Sequence, residues 1–139
     1  MTPGRATCDT SVVVPAFLTW HEHHEVARRA VTEEVVAVPA HVIAETFSVV
    51  TRLPAPHRVA PNSVLAFLDK LPGPAIGLSP ERYLPTLARL AAYRITGGSI
   101  YDGLIAATAV EHGLTLLTLD RRAGLAYDAM GAQVRRPAT

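Results

Sequence analysis

The tract YDGLIAATAVEHGLTLLTLD, residues 101–120, runs from an alanine-rich segment of helical character through a His-Gly break into a short stretch of Leu and Thr. A helix, a glycine stop and a buried strand inside so short a span make an α–β unit. Other short apolar runs, at residues 6–9, at 35–38 (VVAV) and at 75–78, also alternate with helical segments. Short buried strands alternating with helices dictate a mainly parallel sheet covered on both faces, an α/β/α sandwich. In such sheets ligands bind beyond the carboxyl ends of the strands.

The rest of the segmentation follows from breakers and caps. Helices are expected from about Thr10, over residues 21–32, and from Pro39, as first helical residue, to about Thr51. Three prolines make residues 52–62 (RLPAPHRVAPN) a loop. Further helices are expected over 63–71, 85–94 and 100–112. The second of these starts at Pro85 because proline inside a helix removes a hydrogen bond. A strand over 115–119, a short helix near 122–127 and a last strand near 133–134 complete the pattern. Arg135 and Arg136 fall in a mobile tail.

At 139 residues the chain has the length of one domain with a real core, and we read residues 1–139 as a single unit. Thirteen basic and twelve acidic residues leave a net charge of +1, which excludes a uniformly basic nucleic-acid coat but permits local patches. Lys70 is the only lysine, so phosphate contacts would rely on the forked guanidinium. Cys8 is the only cysteine, which fits a reducing cytoplasm. The apolar run 12–18 is too short to span a bilayer. It also makes a poor signal peptide, being preceded by Asp9 and interrupted by Pro15. A cytoplasmic protein without membrane attachment is the expectation.

Four acids stand out. Asp9 and Asp120 follow strands, and Asp102 opens a helix. Each has an ordinary account as a cap, accepting backbone N–H bonds and complementing the helix dipole. Glu45 falls mid-helix, where capping is unavailable, between Val42 and Val49 on a stripe beside the Ile43–Phe47–Val50 face. It is either a solvated glutamate at the edge of that stripe or a carboxylate waiting for a cation. Four converging carboxylates repel and raise one another's pKa, a penalty that a divalent ion removes. An all-oxygen set suits Mg²⁺ or Mn²⁺ rather than zinc.

The segments CDTSVVV at 8–14, HVIAETFSVVTRLP at 41–54 and 101–124, ending in TLDRRAG, resemble the PIN-domain ribonucleases, specifically the VapC toxins of bacterial toxin–antitoxin modules. The resemblance covers nearly the whole chain, with the motifs in the family's order. It implies an α/β/α sandwich gathering Asp9, Glu45, Asp102 and Asp120 around one or two Mg²⁺ or Mn²⁺ ions, supported by Thr10 or Ser11 and by Thr118. It implies metal-dependent endonucleolytic cleavage of structured RNA, in loops of transfer or ribosomal RNA, by activated water, leaving a 5′-phosphate and a 3′-hydroxyl. It also implies a homodimer and a VapB-type antitoxin covering the groove.

Arg121 and Arg122 follow Asp120, and His57 and Arg58 lie in the proline-rich loop. All four are candidate RNA contacts, against plain surface polarity. The cluster HEHHE at 21–25 offers at most a helical pair toward zinc, and a structural zinc site needs four ligands. A solvated first helical turn is the better account. Trp20 is expected in the core or at a dimer interface. A haloacid-dehalogenase-like phosphotransferase would need an aspartate where Ser11 stands, and no phosphate-binding glycine loop is present. The principal alternative is a non-cleaving RNA- or partner-binding module of the same fold.

Overall fold

The computed structural model describes residues 5–139. Its sheet has three parallel strands in the order β1 (Ala6–Cys8), β2 (Thr115–Leu117) and β3 (Val134–Arg135). Seven helices surround it: α1 (Thr10–Phe17), α2 (His24–Glu33), α3 (Ala40–Thr51), α4 (Pro61–Leu68), α5 (Tyr83–Ala92), α6 (Ser99–Glu111) and α7 (Gly124–Ala129). The first four pack on one another, as do the last three. The main core joins both groups to the strands through Ala6, Cys8, Val31, Leu90, Ile105 and Leu116. A second cluster, around Val50, Val64 and Leu68, glues α4 to α3. Among the described residues no helix is long and apolar enough to cross a membrane.

Two expected strands do not form as ladders. In the run 35–38, Val36 N–H donates to Ala6 at 2.9 Å, but Val38 already accepts from Ile76 at 3.1 Å. The run divides its hydrogen bonds between two neighbours, and Pro39 has no N–H to extend either ladder. Single parallel bridges, Ala6 to Val35 and Pro39 to Ile76, are what remain of the 35–38 and 75–78 strands.

The bridges nevertheless extend the parallel order to Ile76, Val35, β1, β2, β3. From β1 the chain crosses to the Val35 side, whereas from β2 it crosses the other way, to β3. The carboxyl ends of β1 and β2 therefore open onto a crevice where the connections part, the position at which open α/β sheets bind ligands.

Helix starts differ from expectation for local reasons. Pro39 is the N-cap of α3, with ψ at 138° and its carbonyl accepting from Ile43. Helix α5 begins at Tyr83, before Pro85, after a 3-10 turn at Pro80–Arg82. Pro85 lies in the first helical turn, whose N–H groups lack intrahelical acceptors in any case. Helix α2 begins at His24, so His21 and Glu25 do not share a helix. Arg135 is no loose tail: it forms part of β3, and its guanidinium reaches Glu34 at 2.5 Å.

Candidate functional site

Asp9 leaves β1 and caps α1. One carboxylate oxygen accepts from the Ser11 N–H at 3.0 Å and from its hydroxyl at 2.5 Å, and the other accepts from the Tyr127 hydroxyl at 2.6 Å. Only 4% of the residue is exposed. Burial pushes its pKa up, against the opposing pull of the Ser11, Thr118 and Tyr127 hydroxyls. The capping account of Asp9 is therefore correct and incomplete. A solvated cap needs no buried tyrosine behind it.

The end of β2 is stitched to the same spot. The Ser11 hydroxyl accepts from the Leu119 N–H at 2.8 Å and lies 3.3 Å from the Thr118 hydroxyl. Thr118 in turn accepts from the Asp120 N–H at 3.0 Å. Asp120 caps the 3-10 turn Arg121–Ala123 by accepting from the Arg122 N–H at 2.8 Å. Two adjacent strand ends are thus locked in register by hydroxyls, with their carboxylates facing the crevice between them.

Helices supply the other two acids. Glu45, half-buried on α3, accepts from the Thr10 hydroxyl. Asp102 lies in the first turn of α6, which seats closely because Gly103 faces Leu90. A Cβ at Gly103 would come within 2.5 Å of that buried side chain. Burial, followed by the charges of Asp120, Asp9 and Glu45, raises the Asp102 pKa to about 6, with His41 acting in the opposite direction. Asp102 feels the other three carboxylates. Among the described residues the only ion pair to any of them is a loose one, Arg122 to Asp120 at 3.6 Å.

Asp9, Glu45 and Asp120 lie near enough for their charges to act on Asp102, and the Thr10 and Ser11 hydroxyls bond to Glu45 and Asp9 while Thr118 accepts from the Asp120 N–H. Among the described residues no group of three or more His, Cys, Asp and Glu side chains is placed to hold a metal ion as it stands. The acids stand apart in a shared field, as like charges do. Their chemistry suits a hard divalent cation: all oxygen donors, partly buried, with a surplus of negative charge.

Arg122 lines two clefts, one with Glu45 and Asp120, the other with Asp102. Arg121 is exposed, and Arg58 spends its Nε on the Leu53 carbonyl at 3.0 Å, folding back on its own loop. His57 lies tilted against Trp20, which is 54% exposed and so is not core. Tyr127 is the site residue that sequence reasoning missed. The one available signal was its position one residue after Ala126 and four after Ala123 on a buried stripe, since a buried tyrosine hydroxyl seeks a polar partner.

Residues 6–128 match the PIN domain family. Ribonuclease VapC40 of Mycobacterium tuberculosis is 44% identical over 127 residues, spanning 91% of this chain and 94% of its own. Ribonuclease VapC27 of the same organism is 37% identical over 128 residues, spanning 91% of this chain and 92% of its own. The family match runs from the first strand through the buried tyrosine behind Asp9, so it takes in Asp9, Glu45, Asp102 and Asp120. The chain belongs to the PIN-domain family, in its VapC group.

Proposed function

We propose that this protein is the toxin of a toxin–antitoxin module, a cytoplasmic endoribonuclease that uses Mg²⁺ or Mn²⁺ to hydrolyse phosphodiester bonds in structured RNA. One observation carries the reading. Burial, together with the charges of Asp120, Asp9 and Glu45, lifts Asp102 to about 6, and among the described residues the one ion pair to this set is the loose contact of Arg122 with Asp120 at 3.6 Å. Such crowding costs stability unless a cation is the intended occupant.

Asp9, Glu45, Asp102 and Asp120 would hold the ion, which when bound stabilises charge on the phosphate and lowers the pKa of water. The protein's own contribution is positioning. Tyr127 and Ser11 fix the Asp9 carboxylate, and Thr10 orients Glu45. The bonds linking Ser11, Thr118 and the Leu119 N–H keep the two strand ends from drifting apart. Arg122 is placed to hold a phosphate oxygen beside the cut. The proton released by water would pass to a carboxylate of this set, with no single residue assigned as the base. The products are a 5′-phosphate and a 3′-hydroxyl. A cognate VapB-type antitoxin and a homodimeric assembly belong to the same proposal.

The test is cleavage of purified total RNA by antitoxin-free protein with Mg²⁺ or Mn²⁺, with EDTA, and with Asp102→Asn, followed by mapping of the ends. Discrete cuts bearing 5′-phosphates, lost with EDTA and in the variant, support the reading. Folded, metal-loaded protein that cuts none of several RNAs would transfer the proposal to the non-cleaving binding module.

A further inference from the structure

One wall of the acidic crevice has no role in holding the acids. His21 and His23, in the turn before α2, line the same cleft of about 550 Å³ as Thr10, Glu45, Asp120 and Arg122. Next to them the Trp20 ring lies 6.0 Å from that of His21 and 4.3 Å from that of His57, centroid to centroid. The wall therefore runs from the cleft outward through His21 and Trp20 to the proline-rich loop.

The wall is also held in place. His24 Nδ1 meets the Pro15 carbonyl at 2.8 Å, tying the turn to the end of α1. The His23 N–H donates to His21 Nδ1 at 3.0 Å. A neutral His21 ring that accepts at Nδ1 carries its proton on Nε2, which leaves a donor free. Arg58, bonded to Leu53, steadies the loop that carries His57.

The most costly feature is Trp20. More than half of it remains in water, with the His57 and His21 rings tilted beside it by 37° and 33°. Aromatic faces left open beside imidazole donors, continuous with a carboxylate crevice, are what a single-stranded nucleotide chain requires: stacking for the base and N–H donors for the backbone. An aliphatic protein partner would fit better elsewhere, because the most exposed aliphatic side chains are Leu84 on α5 and Leu125 on α7.

The geometry points to a base-stacking subsite for single-stranded RNA, in which Trp20 and His57 take one nucleobase while His21 and His23 donate to the sugar–phosphate leading toward the acids. The inference rests on the ribonuclease reading and deepens it. The subsite sets which bond of the strand reaches the carboxylates, because the distance from the stacked base to the crevice is fixed by the fold.

Trp20 is the only tryptophan, so its emission reports on this wall alone. Asp102→Asn protein in Mg²⁺ is titrated with short oligoadenylate and with an abasic ribose-phosphate strand of equal length. Binding is followed both by tryptophan emission and by anisotropy of end-labelled strand. Oligoadenylate should quench emission saturably, and the abasic strand should bind about tenfold more weakly without quenching. Trp20→Ala should weaken oligoadenylate binding by about the same factor, and Trp20→Phe should restore most of it with an unchanged far-UV spectrum. Anisotropy that reports binding while emission stays constant overturns the subsite and leaves the ribonuclease reading standing. Emission that follows protein concentration but not RNA assigns the face to a second copy of the chain and also overturns it. Absence of binding in every arm, together with absence of cleavage by the unsubstituted protein, defeats both readings.

Discussion

Asp102 shows what the site costs a metal-free molecule. Its folded pKa, near 6, lies above the unfolded value, so the folded state binds its proton more tightly and charging the group destabilises the fold. The penalty is absent below about pH 4, where folded and unfolded chains are both protonated, grows between pH 4 and 6, and is complete above that. In EDTA at pH 7.5, Asp102→Asn should therefore raise unfolding stability by about 1 kcal/mol, a figure kept small because the group is half in water. Urea melts at the two ends of that range check this, and a gain of the same size at both would contradict it. Tyr127 acts from behind Asp9. Burial, then the Asp9 charge, drives its hydroxyl pKa far upward, so it remains a donor at any working pH. Tyr127→Phe should cost about 1–2 kcal/mol of stability. It should also weaken Mn²⁺ affinity by about 10–100-fold, as loss of a supporting hydrogen bond to a ligand does. Calorimetric titration with Mn²⁺ reads the second effect, and unchanged affinity would make Tyr127 a packing residue only. The four acids were legible in the sequence because each occupies a place where a carboxylate has a reason to be. Tyr127 was not, since a buried tyrosine on an apolar stripe reads as core until its hydroxyl is traced to a partner.

At the level of elements, α6 is the piece whose placement matters most. It carries Asp102, and its approach to α5 depends on Gly103 having no side chain. An alanine in mid-helix ordinarily gains about 1 kcal/mol over glycine. Here it would strike Leu90, which is fully buried, and overpacking of that kind costs about 1–3 kcal/mol. Gly103→Ala should thus lower the denaturation midpoint, and adding Leu90→Ala should cost less in that background than alone. Strictly additive losses in a double-mutant cycle would show that the two side chains do not compete for space. The helices were readable from breakers and apolar spacing to within a few residues. The strands at 35–38 and 75–78 were over-read, because β-branched composition records a preference for extended backbone and not how many neighbours share its hydrogen bonds. The ends of the last helices and strand were missed for a related reason. Arg135 looked like tail until Glu34, 101 positions away, came within reach.

Across the whole molecule the decisive feature is the crevice where the connections part between β1 and β2, with Asp9 and Asp120 capping the turns that leave those strands. Occupying it should stabilise the fold as any ligand of the native state does. At a hundredfold excess over Kd the gain is about 2.7 kcal/mol, roughly 5–10 °C in melting temperature for a chain of this size. Thermal melts with Mn²⁺ and with EDTA measure this directly, and the increment should vanish in Asp9→Asn. An equal increment in that variant would place the ion elsewhere. That crevice was foreseeable as an edge of the sheet. The wall carrying Trp20 was not, since a lone tryptophan beside a histidine cluster has the composition of core and of surface alike.

The same topology sets the order in which the crevice can be assembled. Asp9 is synthesised early, yet the hydroxyl that steadies it follows 118 positions later, and Asp120 comes just before that. β1 has only the single bridge to Val35 until β2 arrives, from the last quarter of the chain. A ribosome that stalls two-thirds of the way through has therefore produced helices and one acid-tipped strand, but nothing able to cut. On the proposed toxin reading, cleavage has to wait for the segment from β2 to Tyr127, and a VapB-type antitoxin would have that interval in which to be ready.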